Sequence, residues 1–324
     1  MSGPRILLVG AGAVGQVYGY HLFKGGARIT FFVKPKYREG LQADGMPLYP
    51  LKGPDQGKQI DFREFDLVST PEEVAARSWD QVWLCMSSTA LKGPWLEPLL
   101  AAAGEATVVT LQPGLEDVQY LTARMPADRL VRGLIPMISY QAPLPGQHVD
   151  PPGVAFWWPP AKNPFSGPRD RLHGVVQLLN QGGWPSKAVP DVTPQLALGS
   201  ALMNPVMAGL EVNDWKFKAF GRGDGSRLAS RAMKQTAGIA APGRARLMVW
   251  FMARRTTLRF ILWLGERLLP LPLEVYLGYH FTKVGDQTRA QLASFIEKGQ
   301  AAGKPVDAIQ ALARRLPPEP AGAH

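Results

Sequence analysis

The chain has 324 residues, 46% hydrophobic and 19% charged, with a formal net charge of +10, five histidines and one cysteine. That length exceeds the usual span of one hydrophobic core and predicts two domains. The lone Cys85 excludes an internal disulfide framework, and the scattered histidines give no metal-ligand spacing, so no metal is expected. The longest apolar runs, such as "LMVWFMA" at 247–253, fall well short of the roughly 20 residues of a membrane span. The first apolar run is broken by glycines at once, so no signal peptide and a cytoplasmic location are expected.

Short β-rich runs alternate with helical patterns through the first half, which predicts a parallel sheet with crossover helices. "RILLVG" reads as the first strand and residues 13–24 as a helix ending at Gly25-Gly26. "RITFFV" at 28–33 is a second strand, followed by a polar stretch and a short acidic helix from Pro71. "QVWLCM" at 81–86 and "ATVVTLQ" at 106–112 are buried strands, with a helix near 115–125 and then a run, "RLVRGLIPMISY", at 129–140. Irregular antiparallel strands are expected over 140–163, a helix over 169–182 and a short strand at 186–190. From Thr193 helical spacing takes over, interrupted at 221–225, 241–243 and 270–272, and the last residues read as a frayed tail. The predicted class is α/β, a Rossmann dinucleotide-binding domain (1–190) followed by an all-helical domain (191–324).

The first strand runs into Gly10-Ala11-Gly12-Ala13-Val14-Gly15, which fits G-x-G-x-x-G with a strand before it and an apolar helix after it. The first glycine permits the tight turn, the second lets the backbone approach a pyrophosphate, and the third lets helix and strand pack closely. The helix N-terminus supplies free N–H groups for the phosphates. At the end of the second strand NAD and FAD sites place a carboxylate for the ribose hydroxyls. Here "VKPKYR" offers Lys34, Lys36 and Arg38 with no acid before Glu39, which suits the 2′-phosphate of NADP(H).

Charge is concentrated later. From Phe220 to Arg267 ten Lys and Arg face two acids, Asp224 and Glu266, so this segment alone carries about +8. Such a block attracts anions, whether a phosphorylated coenzyme, an acidic substrate, an acidic lipid surface or nucleic acid. Neither an RNA-binding motif nor a zinc finger accompanies it, so nucleic acid is not the expected partner.

With "RILLVGAGAVG", a basic residue at Lys34, "VWLCMSS" at 82–88, "TVVTLQPGLED" at 107–117, "NPVMAG" at 204–209 and the closing "EKGQAAGKPVDAIQAL", the sequence resembles the ketopantoate reductases, the 2-dehydropantoate 2-reductases. The resemblance implies a Rossmann domain followed by a helical one, with an active site in the cleft between them. It also implies contacts to the coenzyme from Met86, Ser87, Gln112 and Pro113, besides the glycine turn and the two lysines. The chain departs from the family pattern at Pro113, where Asn is usual, and at Ser87, where Lys is usual. The position of the family's general-acid Lys falls on Leu196, a nearby Asn on Ser200, and the substrate-binding Glu on Gln287 or Asp286. Asn204 is retained.

A ketone gathers negative charge on oxygen as hydride arrives, so a proton donor must stand within reach. Leu196 cannot serve. Tyr276, His280 and Lys283, at i, i+4 and i+7, would share one helix face and can each deliver a proton. Glu211, Asp214 and Lys216 are a second set, with Trp215 and Phe217 as packing anchors. Asn204 sits in an apolar helical stretch where an unpaired amide is costly, and Pro205 would kink that helix or start a new one.

"FWWPP" at 156–160 and the aromatic-rich 247–269 suggest a substrate larger and less polar than ketopantoate. The first reading is therefore an NADPH-dependent reductase of a C=O or C=N group in a small molecule, acting as a homodimer. The alternative is a non-catalytic NADP(H)-binding sensor or assembly protein.

Overall fold

The computed structural model describes residues 3–240, 244–283 and 285–318, and of residues 115 and 244–247 only the course of the backbone. The predicted break at 241–243 and the tail from 319 lie outside the described residues. Contacts divide the chain into two compact units, Met1–Val192 and Thr193–His324.

Among its described residues the first unit is built on twelve strands. These are β1 (Arg5–Val9), β2 (Arg28–Phe32), β3 (Met46–Pro50), β4 (Ile60–Phe62), β5 (Phe65–Val68), β6 (Gln81–Leu84), β7 (Thr107–Thr110), β8 (Leu130–Gly133), β9 (Ile138–Ala142), β10 (Gly153–Trp157), β11 (Asn163–Ser166) and β12 (Ser186–Ala188). Eight form one sheet in the order β12-β11-β8-β7-β6-β1-β2-β5, and four form a second in the order β4-β3-β10-β9. In the large sheet the run from β8 to β5 is parallel throughout, and β11 joins β8 antiparallel.

The central strands are short and apolar because both faces are covered. Alternate residues of β1 serve opposite cores. Ile6 and Leu8 pack with Val17, Tyr18 and Leu22 of the helix Ala13–Lys24 and with Val175 and Leu179 of the helix Arg169–Gln181. Leu7 and Val9 pack with Leu99 and Leu100 of the helix Leu96–Ala102 and with Leu121. The small sheet adds Met46, Leu48, Phe62, Val154 and Phe156 to the first of these cores.

Three details differ from the sequence reading. The run 129–140 is two strands in different sheets, β8 and β9, because Pro136 interrupts the ladder between them. The polar stretch after β2 holds β3, β4 and β5.

The third concerns Pro205, in the second unit. One helix, Thr193–Glu211, runs through it without ending or restarting. Proline lacks the N–H that would bond the carbonyl four residues back, that of Ala201. The Thr236 hydroxyl, from the helix Asp224–Ala240, donates to this carbonyl at 2.7 Å instead. These two helices lie close because their contact is lined by small residues. A Cβ on Gly209 would come within 2.9 Å of the Ala229 Cβ. Leu292, Phe295, Ile309 and Leu312 complete this core from the helices Gly285–Ala301 and Asp307–Arg315.

Candidate nucleotide-binding site and proton donors

The strand order of the large sheet reverses at β1. The chain crosses from β1 to β2 on one side and later returns to place β6 on the other. The crevice at the carboxyl ends of such a pair is where α/β sheets receive ligands. Gly10–Gly15 leaves β1 there and Cys85–Ser87 leaves β6 beside it.

Each glycine of the turn has a separate physical reason. Gly10 has φ +100, a left-handed conformation costly for other residues, and donates its N–H to the Phe32 carbonyl at 3.0 Å. Gly12 caps the helix Ala13–Lys24 from an extended backbone, and a Cβ there would meet nothing within 4 Å. A Cβ on Gly15 would collide with the Gly10 carbonyl oxygen and press on the Cys85 side chain at 3.3 Å. No side chain caps this helix and no acid lies in its first turn. The N–H groups of Ala13, Val14 and Gly15 therefore lack intrahelical acceptors, and Gly12 leaves open space before them. An uncapped positive helix end behind open space fits a pyrophosphate.

Gln112 ties the neighbouring strand ends together. It is 3% exposed, and its amide nitrogen donates to the carbonyls of Leu84 at 3.1 Å and Met86 at 2.7 Å. Its oxygen accepts from the Thr110 hydroxyl. Gln112 thus fixes the loop that carries Met86 and Ser87. Met86 is half-buried, Pro113 is exposed, and the Ser87 hydroxyl accepts from the Ala90 N–H, capping the short helix Ser88–Leu91.

Sequence reasoning did not single out Asp117. This buried carboxylate accepts from the Ser88 hydroxyl at 2.8 Å and the Gly114 N–H at 3.1 Å, joining the loops after β6 and β7. Burial pushes its pKa up, against those hydrogen bonds. Its signal was present in "LQPGLED", a Gly followed three residues later by Asp. Cys85 is a free thiol whose pKa is raised by burial, a packing residue against Gly15.

At the end of β2, Lys34 and Lys36 are exposed, and the Lys36 ammonium lies 4.9 Å from the Tyr37 ring centre. Arg38 does have an acid partner. Glu73, from the helix Pro71–Ala75, meets its guanidinium at 2.6 Å, a pairing across 35 residues that the local sequence does not show. A cavity of about 340 Å³ next to it is lined by Arg38, Arg63 and Arg77. Asp61 and Asp66 meet the other two guanidinium groups, each at 2.7 Å.

Residues 6–149 match the family described as ketopantoate reductase PanE/ApbA. The chain carries a ketopantoate reductase-family domain. No curated protein matches the sequence. Solved structures share the fold over nearly the whole length. A PanE/ApbA family ketopantoate reductase from Ralstonia eutropha JMP134 has a TM-score of 0.67 at 18% identity, covering 96% of this chain and 97% of its own. A 2-dehydropantoate 2-reductase from Geobacter metallireducens GS-15 has 0.66 at 17%, covering 96% and 98%. A D-mandelate dehydrogenase in ternary complex with NADH and anilino(oxo)acetate has 0.69 at 11%, covering 96% of both chains. The ketopantoate reductase fold, a Rossmann-like sheet followed by helices, is therefore the fold of this chain, as its sequence motifs implied.

The proposed proton donors lie in the second unit. Tyr276 and His280 share a face of the helix Leu273–Lys283 and stack with ring centres 5.4 Å apart. Burial, with the Lys283 charge, pushes His280 down to about 4, so at neutral pH it is an uncharged imidazole. Lys283 is exposed and lies over the Tyr279 ring, 3.8 Å from its centre. Asn204 is half-buried on Thr193–Glu211, a helix that Leu273–Lys283 contacts. Glu211 is paired with Arg289 at 2.7 Å, and Lys216 with Glu274 at 3.1 Å, so both are engaged in structure. Asp214 and Trp215 adopt left-handed backbone, and Trp215 stacks on Phe281. Leu196, at the position of the family's Lys, is buried.

Proposed function

We propose that the protein is an NADPH-dependent reductase of a C=O or C=N group. The observation that carries this reading is the glycine turn, whose uncapped helix end faces open space before Gly12 at the sheet's switch point. When bound, a reduced nicotinamide supplies hydride to the substrate carbon. Lys34 and Lys36, exposed just beyond β2, supply charge for a 2′-phosphate, and no carboxylate lies among residues 32–38. Met86 and Ser87 contact the coenzyme from a loop held by Gln112.

The substrate oxygen or nitrogen needs a proton, and Tyr276, His280 and Lys283 are the proposed donors, with Asn204 orienting the substrate. His280, uncharged near pH 7, would act as a neutral N–H donor, whereas Lys283 would deliver a proton as an ammonium. The apolar Leu196 at the position of the family's Lys favours a substrate larger and less polar than ketopantoate, whereas Phe156 and Trp158 pack in the core of the first unit and do not bear on the substrate. The protein is proposed to work in the cytoplasm as a homodimer.

A fluorescence titration with NADPH and NADH tests the reading, followed by a panel of 2-keto acids, aryl ketones and imines. Tighter NADPH binding with turnover of a bulky carbonyl or imine supports it. Turnover confined to small 2-keto acids overturns the substrate assignment. NADPH binding without turnover favours the sensor alternative, and absence of binding removes both.

A further inference from the structure

Among the described residues ten large hydrophobic side chains are exposed, and seven of them fall within 248–268. They belong to two consecutive helices, Arg244–Met252 and Arg255–Leu268. The second turns Leu258 and Leu262 inward, and the opposite face, where solvent calls for polar groups, carries Phe260 and Trp263 in a stack 5.7 Å between centres. Ile261 and Leu268 flank it, and Leu268 is 60% exposed. On the preceding helix, which contacts the second, Trp250 and Phe251 are exposed as well.

Every aromatic cluster here is met by a cation. The Arg254 guanidinium lies 4.6 Å from the Trp250 ring centre and 5.5 Å from that of Phe251. The Arg267 guanidinium lies 4.0 Å from that of Trp263, and the Lys234 ammonium 5.7 Å from that of Trp250. Over 248–268 four arginines face one acid, Glu266.

We propose that this face is an interfacial docking surface for an anionic lipid bilayer. Aromatic rings and long aliphatic side chains enter the headgroup boundary, while the arginines remain level with the lipid phosphates. Charge decides against the other occupants of an apolar face. In a two-fold contact the patch meets itself, so two surfaces that each carry four arginines against one acid would oppose one another. Nucleic acid would pair with the cations and could stack on the rings. It offers nothing to Ile261, Leu268 and Met248, which are aliphatic and about 40–60% exposed. A bilayer with anionic headgroups satisfies both the charge and the apolar area. This docking requires no membrane span, and among the described residues no helix is long and apolar enough to be one. It is independent of the coenzyme reading.

The test is co-sedimentation of the full-length protein with vesicles of phosphatidylcholine alone or with about one third phosphatidylglycerol. The expected result is at least tenfold stronger partitioning into the anionic vesicles, weakened by added salt. Two double variants, Phe260→Ser with Trp263→Ser and Arg254→Glu with Arg267→Glu, should each lower that partitioning tenfold or more. Because all four positions are on the surface, their circular-dichroism melts should match the parent. Equal partitioning into both vesicles, or none, overturns the proposal, as does an apolar variant that binds like the parent. Light scattering that finds a dimer made monomeric by Phe260→Ser with Trp263→Ser assigns the patch to self-association and overturns it. Stronger retention by duplex DNA than by anionic vesicles does the same in favour of nucleic acid.

Discussion

Gly15 packs so closely under Gly10 that a methyl group at Gly15 would overlap the Gly10 carbonyl oxygen. Three residues away, the same methyl on Gly12 would touch nothing within 4 Å. The two positions should therefore separate folding from binding. Gly15→Ala is expected to lower stability by about 1–3 kcal/mol, the usual cost of overpacking, as a fall in the denaturant midpoint. Gly12→Ala should leave that midpoint within about 0.5 kcal/mol, while NADPH affinity drops about tenfold or more because the methyl occupies space before the helix end.

Gln112 holds two backbone carbonyls, that of Leu84 buried and that of Met86 partly so. Replacing it with Leu leaves both without a donor and should cost about 2–4 kcal/mol. Hydrogen exchange should quicken most at the strand ends around Leu84 and Met86.

Thr236 substitutes for the N–H that Pro205 lacks. Thr236→Val keeps the shape and removes the donor, so the Ala201 carbonyl becomes an orphan at a cost of about 1–3 kcal/mol. Thr236→Ser restores the hydroxyl and should recover most of that loss in urea unfolding.

His21 is 4% exposed within a cage of Tyr20, Phe156, Trp158 and Trp184, and its Nδ1 donates to the Gly182 carbonyl at 2.9 Å. Burial pushes it down to about 4 from an ordinary 6.5. The unfolded chain thus takes up the proton first, so stability is full above pH 6.5 and falls as pH drops toward about 4. The slope should reach about 1.4 kcal/mol per pH unit, for a total of about 3 kcal/mol. His280, shifted in the same sense but only half-buried, adds a smaller part. Urea midpoints at pH 7.5, 6.5 and 5.5 measure the slope, and His21→Leu should flatten it.

Lys34→Glu with Lys36→Glu should weaken NADPH binding by about tenfold or more and leave NADH binding close to the parent value, because the 2′-phosphate alone feels the reversal. Parallel fluorescence titrations measure both. Equal losses for the two coenzymes would place the lysines elsewhere than at the 2′-phosphate.

Features encoded by neighbours in sequence were the ones that could be read from it. The turn after β1 is legible because an apolar strand, three glycines and an apolar helix follow one another without a gap, and each constrains the next. Features that need a distant partner were not. Glu73 on Arg38 and Asn163 on Tyr18 pair across 35 and 145 residues, and nothing local announces them. β3 and β4 were missed because their polar and proline-rich sequence gains its apolar face only against the helix Ala13–Lys24. That Pro205 starts no new helix was not legible, because the Thr236 hydroxyl that takes the place of its missing N–H comes from another helix. For the proposed proton donors the spacing put Tyr276 and His280 on one helix face, where their rings stack, and the Lys283 charge acts on His280 while its ammonium rests over the Tyr279 ring.

The four-stranded sheet is assembled from two excursions of the chain. β3 and β4 leave the large sheet between β2 and β5, and β9 and β10 leave it between β8 and β11. The parallel pairing of β3 with β10 closes a loop of roughly a hundred residues, which costs entropy and slows folding until the ends are held near one another. The large sheet does the holding. The small sheet is therefore expected to complete late, as a dependent of its neighbour, and since β3 pairs with β10 each excursion supplies half of the other's ladder.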